Sequence, residues 1–181
     1  KSYKLKTQSL FGIVQGGRYK DLRMASAKFI GSLPFDGFGL GGEFGADKAQ
    51  MAKMLDWTIA ELPQEKPRHL LGIGYLEDIV PIIKAGVDLF DCTVPTHYAR
   101  RGIAFTSEGK LNMTKSVFLK DKKPLDKKCQ CATCLNHRRN YICHLFKANE
   151  ITAMRLLTFH NLYFFHTYIE NIREQIKKGK I

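Results

Sequence analysis

Three cysteines within six residues, Cys129-Gln130-Cys131-Ala132-Thr133-Cys134, form the densest chemistry in this chain of 181 residues. Crowded thiolates repel one another unless a cation sits among them. Cysteines two residues apart do not pair without strain, so a metal explains the knuckle better than a disulfide. Zn2+ takes four soft or borderline ligands in a tetrahedron, and three thiolates leave one position to fill. Four histidines follow, His137, His144, His160 and His166, and spacing leaves the choice among them open. His137 lies so close to Cys134 that its return would be awkward. His160 falls near an expected junction of two helices, from which a side chain can swing back. A closed set of three thiolates and one imidazole has no position for substrate and is structural. The other thiols, Cys92 and Cys143, read as buried structural cysteines.

A second group of residues suits a reaction site. Asp91 ends an apolar run, Leu89-Phe90-Asp91-Cys92, where a carboxylate is costly unless functional or paired. The plainer alternatives are a cap on the next turn or an ion pair with Arg100 or Arg101. Gln15 follows Ile13-Val14 and precedes Gly16-Gly17. Its amide offers donors and an acceptor, which suits the edge of a nucleobase. Glycine pairs at such positions let a planar ligand approach the backbone.

The elements that would position these residues alternate. Residues 10–17, 35–42 and 69–74 each read as a buried strand ending in a glycine turn, and residues 87–92 as a fourth strand. Amphipathic stretches at Asp21–Leu33, Asp47–Leu62 and Leu76–Ala85 read as helices, with Asp47 as a cap on the second. In the first helix, Leu22, Ala25, Phe29 and Ile30 are expected to face inward. Continuous apolar strands between helices mean a parallel α/β sheet. In such folds ligands sit at the C-terminal ends of the strands, where Gln15, Gly41, Gly42, Gly72 and Asp91 fall. Periodicity alone does not choose between half a (β/α)8 barrel and a small doubly wound sheet.

Beyond Asp91 the texture changes. Residues 95–128 read as loops and short strands, with a tight turn at Ser107-Glu108-Gly109. Helices are expected at about 137–147, 149–159 and 161–178, the last with Leu162, Phe165, Ile169, Ile172 and Ile176 in one stripe.

Charge follows the same division. Residues 1–90 hold 12 Lys and Arg against 10 Asp and Glu, whereas residues 91–181 hold 17 against 7. A basic half suits a polyanion, because neutralised phosphates release counterions. No run of about 18 apolar residues exists, so no membrane span is expected. Lys1-Ser2-Tyr3-Lys4-Leu5-Lys6 lacks the apolar core of a signal peptide. Together with the odd cysteine count, this points to a reducing compartment, the cytoplasm. The chain begins without Met and is read as a fragment or a processed product.

Several motifs occur in a telling order: Leu10-Phe11-Gly12-Ile13-Val14-Gln15-Gly16-Gly17, Gly72-Ile73-Gly74, Leu89-Phe90-Asp91-Cys92-Thr93-Val94-Pro95-Thr96, and the Cys129/Cys131/Cys134 knuckle with His160. Together they closely resemble the C-terminal half of tRNA-guanine transglycosylases of the queuosine type. The resemblance implies the second half of a (β/α)8 barrel, with four βα units in residues 1–95. A basic zinc-binding subdomain and closing helices would occupy residues 96–181. It implies exchange of guanine at the tRNA wobble position for a 7-deazaguanine, preQ1 or queuine. Asp91 matches the family's nucleophile, which would attack the ribose C1′. Gln15 resembles the residue that hydrogen-bonds the purine edge. Gly41 and Gly42 match a glycine pair bordering the base, and Leu71 and Gly72 match residues lining the pocket. Thr96 and Arg100 resemble members of an anticodon-contacting loop. The resemblance selects His160 as fourth ligand of one structural Zn2+ per chain. It also implies a tRNA anticodon stem-loop as partner, and a homodimer.

Two segments depart from the family pattern. His97 stands where an Arg is usual, which gives Arg101 a candidate role on tRNA. Glu43-Phe44-Gly45-Ala46-Asp47 differs from the usual segment bordering the base's 7-substituent. The first four βα units, expected to carry the general acid/base Asp, would come from the same polypeptide or another chain. Two alternatives are kept: a non-catalytic, zinc-stabilised tRNA-binding subunit, and an archaeosine-type relative acting elsewhere in tRNA.

Overall fold

A computed structural model describes residues 7–42, 44 and 48–181. The Asp47 cap, Glu43, Gly45 and Ala46, and Lys1 to Lys6, lie outside the described residues. The chain forms two compact units, Lys1–Cys92 and Thr93–Ile181.

The first unit alternates strands and helices: β1 (Phe11–Val14), α1 (Lys20–Gly31), β2 (Gly37–Leu40), α2 (Lys48–Ile59), β3 (Arg68–Leu70), α3 (Leu76–Lys84) and β4 (Leu89–Phe90). The strands pair in parallel in the order β1-β2-β3-β4. Parallel neighbours need crossovers, and each helix supplies one. One face of the sheet is dry. Val14, Phe38, Leu40 and Leu70 are fully buried and cluster with Ala27, Met54, Leu55 and Ile82. Each of the larger of these side chains contributes about 1.5–3 kcal/mol by leaving water. The opposite face carries the register row Ile13, Gly39, His69, Leu89 and is open. Ile13 is 46% exposed and Leu89 48% exposed.

The inward face of α1 differs from the expectation. Leu22 and Phe29 are exposed, while Arg23 and Ala27 are buried. The reason lies in Arg23, whose guanidinium donates to Gly17 O at 2.7 Å and Gly41 O at 3.2 Å. It also lies 4.4 Å from the centre of the Phe44 ring. Those acceptors turn a charged residue inward and rotate the apolar stripe away.

The second unit contains α4 (Val94–Arg100), the antiparallel hairpin β5 (Ile103–Thr106) and β6 (Gly109–Asn112), and a 3-10 turn at Ser116–Lys120. Helices α5 (Ala132–Asn136), α6 (Arg139–Lys147) and α7 (Ile151–Lys177) follow. Two expectations are corrected here. The stretch after Pro95, expected as a loop, is helical, because proline in the first turn presets φ and its missing N–H costs nothing there. The two helices expected at 149–159 and 161–178 are one, α7. No Gly or Pro interrupts residues 150–178, and the real break is Asn149, at φ 55°. His160 therefore sits in mid-helix, not at a junction. Along α7, Phe165 and Ile172 are buried, but Leu162 and Ile176 are exposed. Among the described residues no helix is long and apolar enough to cross a membrane.

Candidate functional site

Parallel register assembles the first site. Val14 pairs with Leu40, Leu40 with Leu70, and Leu70 with Phe90. The residue after each is therefore Gln15, Gly41, Leu71 or Asp91, and these line one rim at the strand ends. Backbone bonds continue the ladder one step, Gly41 N to Val14 O at 3.0 Å and Leu71 N to Leu40 O at 3.1 Å. The glycine pair makes room for Gln15. A Cβ on Gly41 would lie 2.6 Å from Gln15 Nε2, and one on Gly42 would lie 2.7 Å from Gln15 Oε1. Gly72 is glycine for another reason. Its φ of +76° suits only glycine readily, and a Cβ there would meet open space.

Asp91 is held at the same rim. Its Oδ1 accepts from Gly72 N at 3.2 Å and from His69 Nε2 at 3.0 Å. The left-handed turn at Gly72 aims that N–H at the carboxylate. The Asp91 side chain is 62% exposed and that of His69 30%. Asp91 is thus a presented carboxylate and not a buried ion. Behind the rim, Cys92 Sγ donates to Gly74 O at 3.2 Å, and a Cβ on Gly74 would strike that sulfur at 2.6 Å. Sequence reasoning passed over Arg23 and His69. The signal for Arg23 was a charge on an otherwise apolar helical stripe. His69 had none, because its pairing with Asp91 depends on strand register.

The second site lies in Thr93–Ile181. The Sγ atoms of Cys129, Cys131 and Cys134 stand 3.6, 3.5 and 3.4 Å from His160 Nδ1. All four donor atoms are buried and lie within 4.8 Å of one another. A zinc tetrahedron with ordinary Zn–S and Zn–N bonds separates sulfur from nitrogen by about 3.6 Å. The donor set and its spacing fit Zn2+. Phe105 O lies 2.8 Å from His160 Nε2. A carbonyl only accepts, so Nε2 carries the proton and Nδ1 turns its lone pair to the thiols. The neighbouring Asn161, also buried, bonds Phe105 N, Pro95 O and Ile103 O at 3.0, 3.0 and 2.9 Å.

The knuckle itself is braced by Asp126, which accepts from Ser107 N and Oγ at 2.7 and 2.9 Å and from Lys128 N at 2.9 Å. Burial pushes the Asp126 carboxyl up, but the N–H groups of Lys128 and Ser107 outweigh it and hold the pKa below the usual range. The three thiols share charge unequally. A hydrogen bond from Cys134 is the main reason Cys131 is held down to about 3. Burial pushes Cys129 up to about 11, and Cys134 is pushed up by its bond to Cys131 and by burial. A divalent cation among the three sulfurs would let all three ionise. Cys143 stands apart, with Sγ donating to Lys115 O at 3.4 Å and its pKa raised by burial.

The residues expected on an anticodon loop lie on or beside α4. Thr96 Oγ1 donates to Thr93 O at 3.1 Å, so its hydroxyl serves its own helix. Arg100 and Arg101 are exposed at the helix C-terminus, where cations also favour the helix dipole.

The geometry thus defines an α/β protein with a buried Cys3His group that fits a metal and a presented carboxylate at a strand-end rim. A family model described as "Queuine tRNA-ribosyltransferase" matches residues 1–181. A queuine tRNA-ribosyltransferase of Caldanaerobacter subterraneus is 47% identical over 175 residues, 96% of this chain and 47% of that protein. One from Halothermothrix orenii is 44% identical over 182 residues, 100% of this chain and 49% of its own. The Bacillus subtilis protein is 45% identical over 175 residues, 96% of this chain and 46% of its own. The chain belongs to the queuine tRNA-ribosyltransferase family. It spans about half the length of the curated relatives it matches.

Proposed function

We propose that this chain is the nucleophile-bearing half of a tRNA-guanine transglycosylase, and that Asp91 is the nucleophile. The observation that carries the reading is the presented carboxylate. Oδ1 is tethered, and among the described residues Oδ2 accepts no hydrogen bond. Oδ2 attacks the ribose C1′ of wobble guanosine as the C1′–N9 bond breaks, and the departing guanine takes up a proton. A 7-deazaguanine then attacks C1′ through its ring nitrogen and loses a proton, and the Oδ2–C1′ electron pair returns to the carboxylate. The target base must leave its stack to reach the rim. Gln15 reads the purine edge beside Gly41, Gly42, Leu71 and Gly72.

The second half of a (β/α)8 barrel is the arrangement we favour for residues 1–95. Four parallel strands with one dry and one open, partly apolar face support it. The remaining units, with the general acid carboxyl, come from the same polypeptide or from a second chain. Residues 96–181 form a zinc-held basic subdomain, with Cys129, Cys131, Cys134 and His160 holding one Zn2+. That ion supplies structural cross-linking and no chemistry. Thr96, Arg100 and Arg101 contact the anticodon stem-loop, the working unit is a homodimer, and the reaction runs in the cytoplasm.

The test is covalent trapping. The full-length protein, mixed with an anticodon stem-loop and a competing base, is expected to yield a denaturation-resistant protein–RNA adduct. Asp91→Asn is expected to yield none. Absence of adduct in the wild type, or equal adduct in Asp91→Asn, would overturn the assignment and favour a non-catalytic tRNA-binding subunit.

A further inference from the structure

Asp91 does not stand alone, and its immediate neighbour is a histidine that catalysis has so far left unused. His69 projects from the middle of β3 onto the open face of the sheet, in register with Gly39 and Leu89. Its Nε2 lies 3.0 Å from Asp91 Oδ1, and Gly72 N lies 3.2 Å from the same oxygen. A carboxylate oxygen only accepts, so Nε2 carries the proton and donates it. Two N–H groups therefore converge on one oxygen, and among the described residues the other accepts none.

We propose that His69 is a positioning residue for the nucleophile, one that selects Oδ2 as the attacking oxygen and speeds release of the ribosyl ester. The proposal rests on the reading of Asp91 as nucleophile. It adds a division of labour between the two oxygens. With both donors on Oδ1, the carboxyl plane is fixed and the Oδ2 lone pair faces the rim. As Oδ2 bonds to C1′, the C1′–N9 pair leaves with guanine, which is protonated by the general acid carboxyl. In the ester, Oδ1 becomes the carbonyl oxygen and keeps both donors. When the incoming base attacks C1′, the Oδ2–C1′ pair returns to the carboxylate and negative charge reappears on Oδ1. Hydrogen bonds to a charged acceptor are stronger than those to a neutral one. Donors aimed at the oxygen where charge develops therefore favour this second step. In the first step they work the other way, since they stabilise the carboxylate that must give up its charge. His69 thus trades some speed of attack for speed of release, and it keeps the enzyme from stalling as the adduct.

That asymmetry is measurable, and a merely structural side chain would not produce it. In the full-length protein, adduct formation is timed with an anticodon stem-loop and no added base. Breakdown is then timed after a chase with excess preQ1. His69→Phe keeps a ring of similar size without the donor. Its adduct breakdown is expected to slow roughly 10- to 100-fold, the rate equivalent of losing a hydrogen bond to a charged group. Formation should change by less than about threefold, so trapped adduct accumulates at steady state. His69→Gln restores an N–H within reach and is expected to recover most of the breakdown rate. Unchanged breakdown in His69→Phe overturns the proposal. So does an equal slowing of both steps in both variants, which marks a packing role. A wild type that forms no adduct at Asp91 fails the underlying reading, and the role of His69 falls with it.

Discussion

The strand-end rim and the cysteine knuckle both gather polar side chains, but they use them in opposite ways. At the knuckle nearly every polar atom is consumed internally. His160 spends one nitrogen on the thiols and the other on Phe105, Asp126 takes three donors, and Asn161 makes three bonds. At the rim the capacity is left over. Asp91 is mostly exposed, with one oxygen that accepts no hydrogen bond among the described residues, Gln15 is exposed, and a Cβ on Gly72 would meet open space. A closed polar set holds a fold together, whereas an open one on a rigid scaffold awaits a ligand.

The contrast can be broken most severely through the metal. Chelation of zinc, or Cys131→Ala, is expected to cost residues 93–181 their cooperative melting, because structural zinc contributes on the order of 10 kcal/mol. Metal analysis should find about one zinc per chain in the wild type. Asp91→Asn should leave the melting curve unmoved while abolishing adduct, since the carboxylate is exposed. A knuckle variant that melts normally would erase the distinction between the two sites.

A smaller effect sharpens the description of the knuckle. Asp126→Ala orphans the N–H groups of Ser107 and Lys128 and is expected to cost about 2–3 kcal/mol by thermal or urea unfolding. The folded pKa of Asp126 lies below its unfolded value. Its contribution is therefore full above the ordinary carboxylate range, about pH 4, and lost as pH falls through the folded value. Asp126→Asn should flatten that acid limb, and an unchanged acid limb would remove Asp126 from the account. The mildest test concerns α4. Arg100→Ala with Arg101→Ala should shift stability by no more than about 0.5 kcal/mol. Binding of the anticodon stem-loop should lose about one to two units of salt slope. An unchanged slope would take these arginines off the phosphates.

Much of the first unit was legible because strands of a parallel sheet buried by helices read as apolar runs, and the glycine turns mark where they end. Gln15, Gly41, Gly42, Gly72 and Asp91 could be placed at strand ends from that pattern alone, whereas Leu71 came only with the family resemblance. Their alignment into one rim needed the register, and so did the contact of His69 with Asp91 across 22 residues. Arg23 showed only as a charge on an apolar stripe, which does not name the Gly17 and Gly41 carbonyls that receive it. In the second unit the three thiols were plain, but their fourth partner was not. His160 lies in the middle of a helix, and only tertiary docking of α7 brings it to the knuckle. The helix α4 is seven residues long, too short to show a period.

The position of His160 also sets an order of assembly. Three thiols within six residues can seize a metal while the chain is still open, but the imidazole lies 26 to 31 residues further on. Closing such a loop costs roughly 3–4 kcal/mol of chain entropy. A bound ion would therefore begin as a local bead on the unfolded chain and become a latch only when α7 arrives. Once the latch is shut, the same ring hands the closure on to the Phe105 carbonyl and so to β5. Closure of the ligand set and docking of the last helix would then be a single late event in folding.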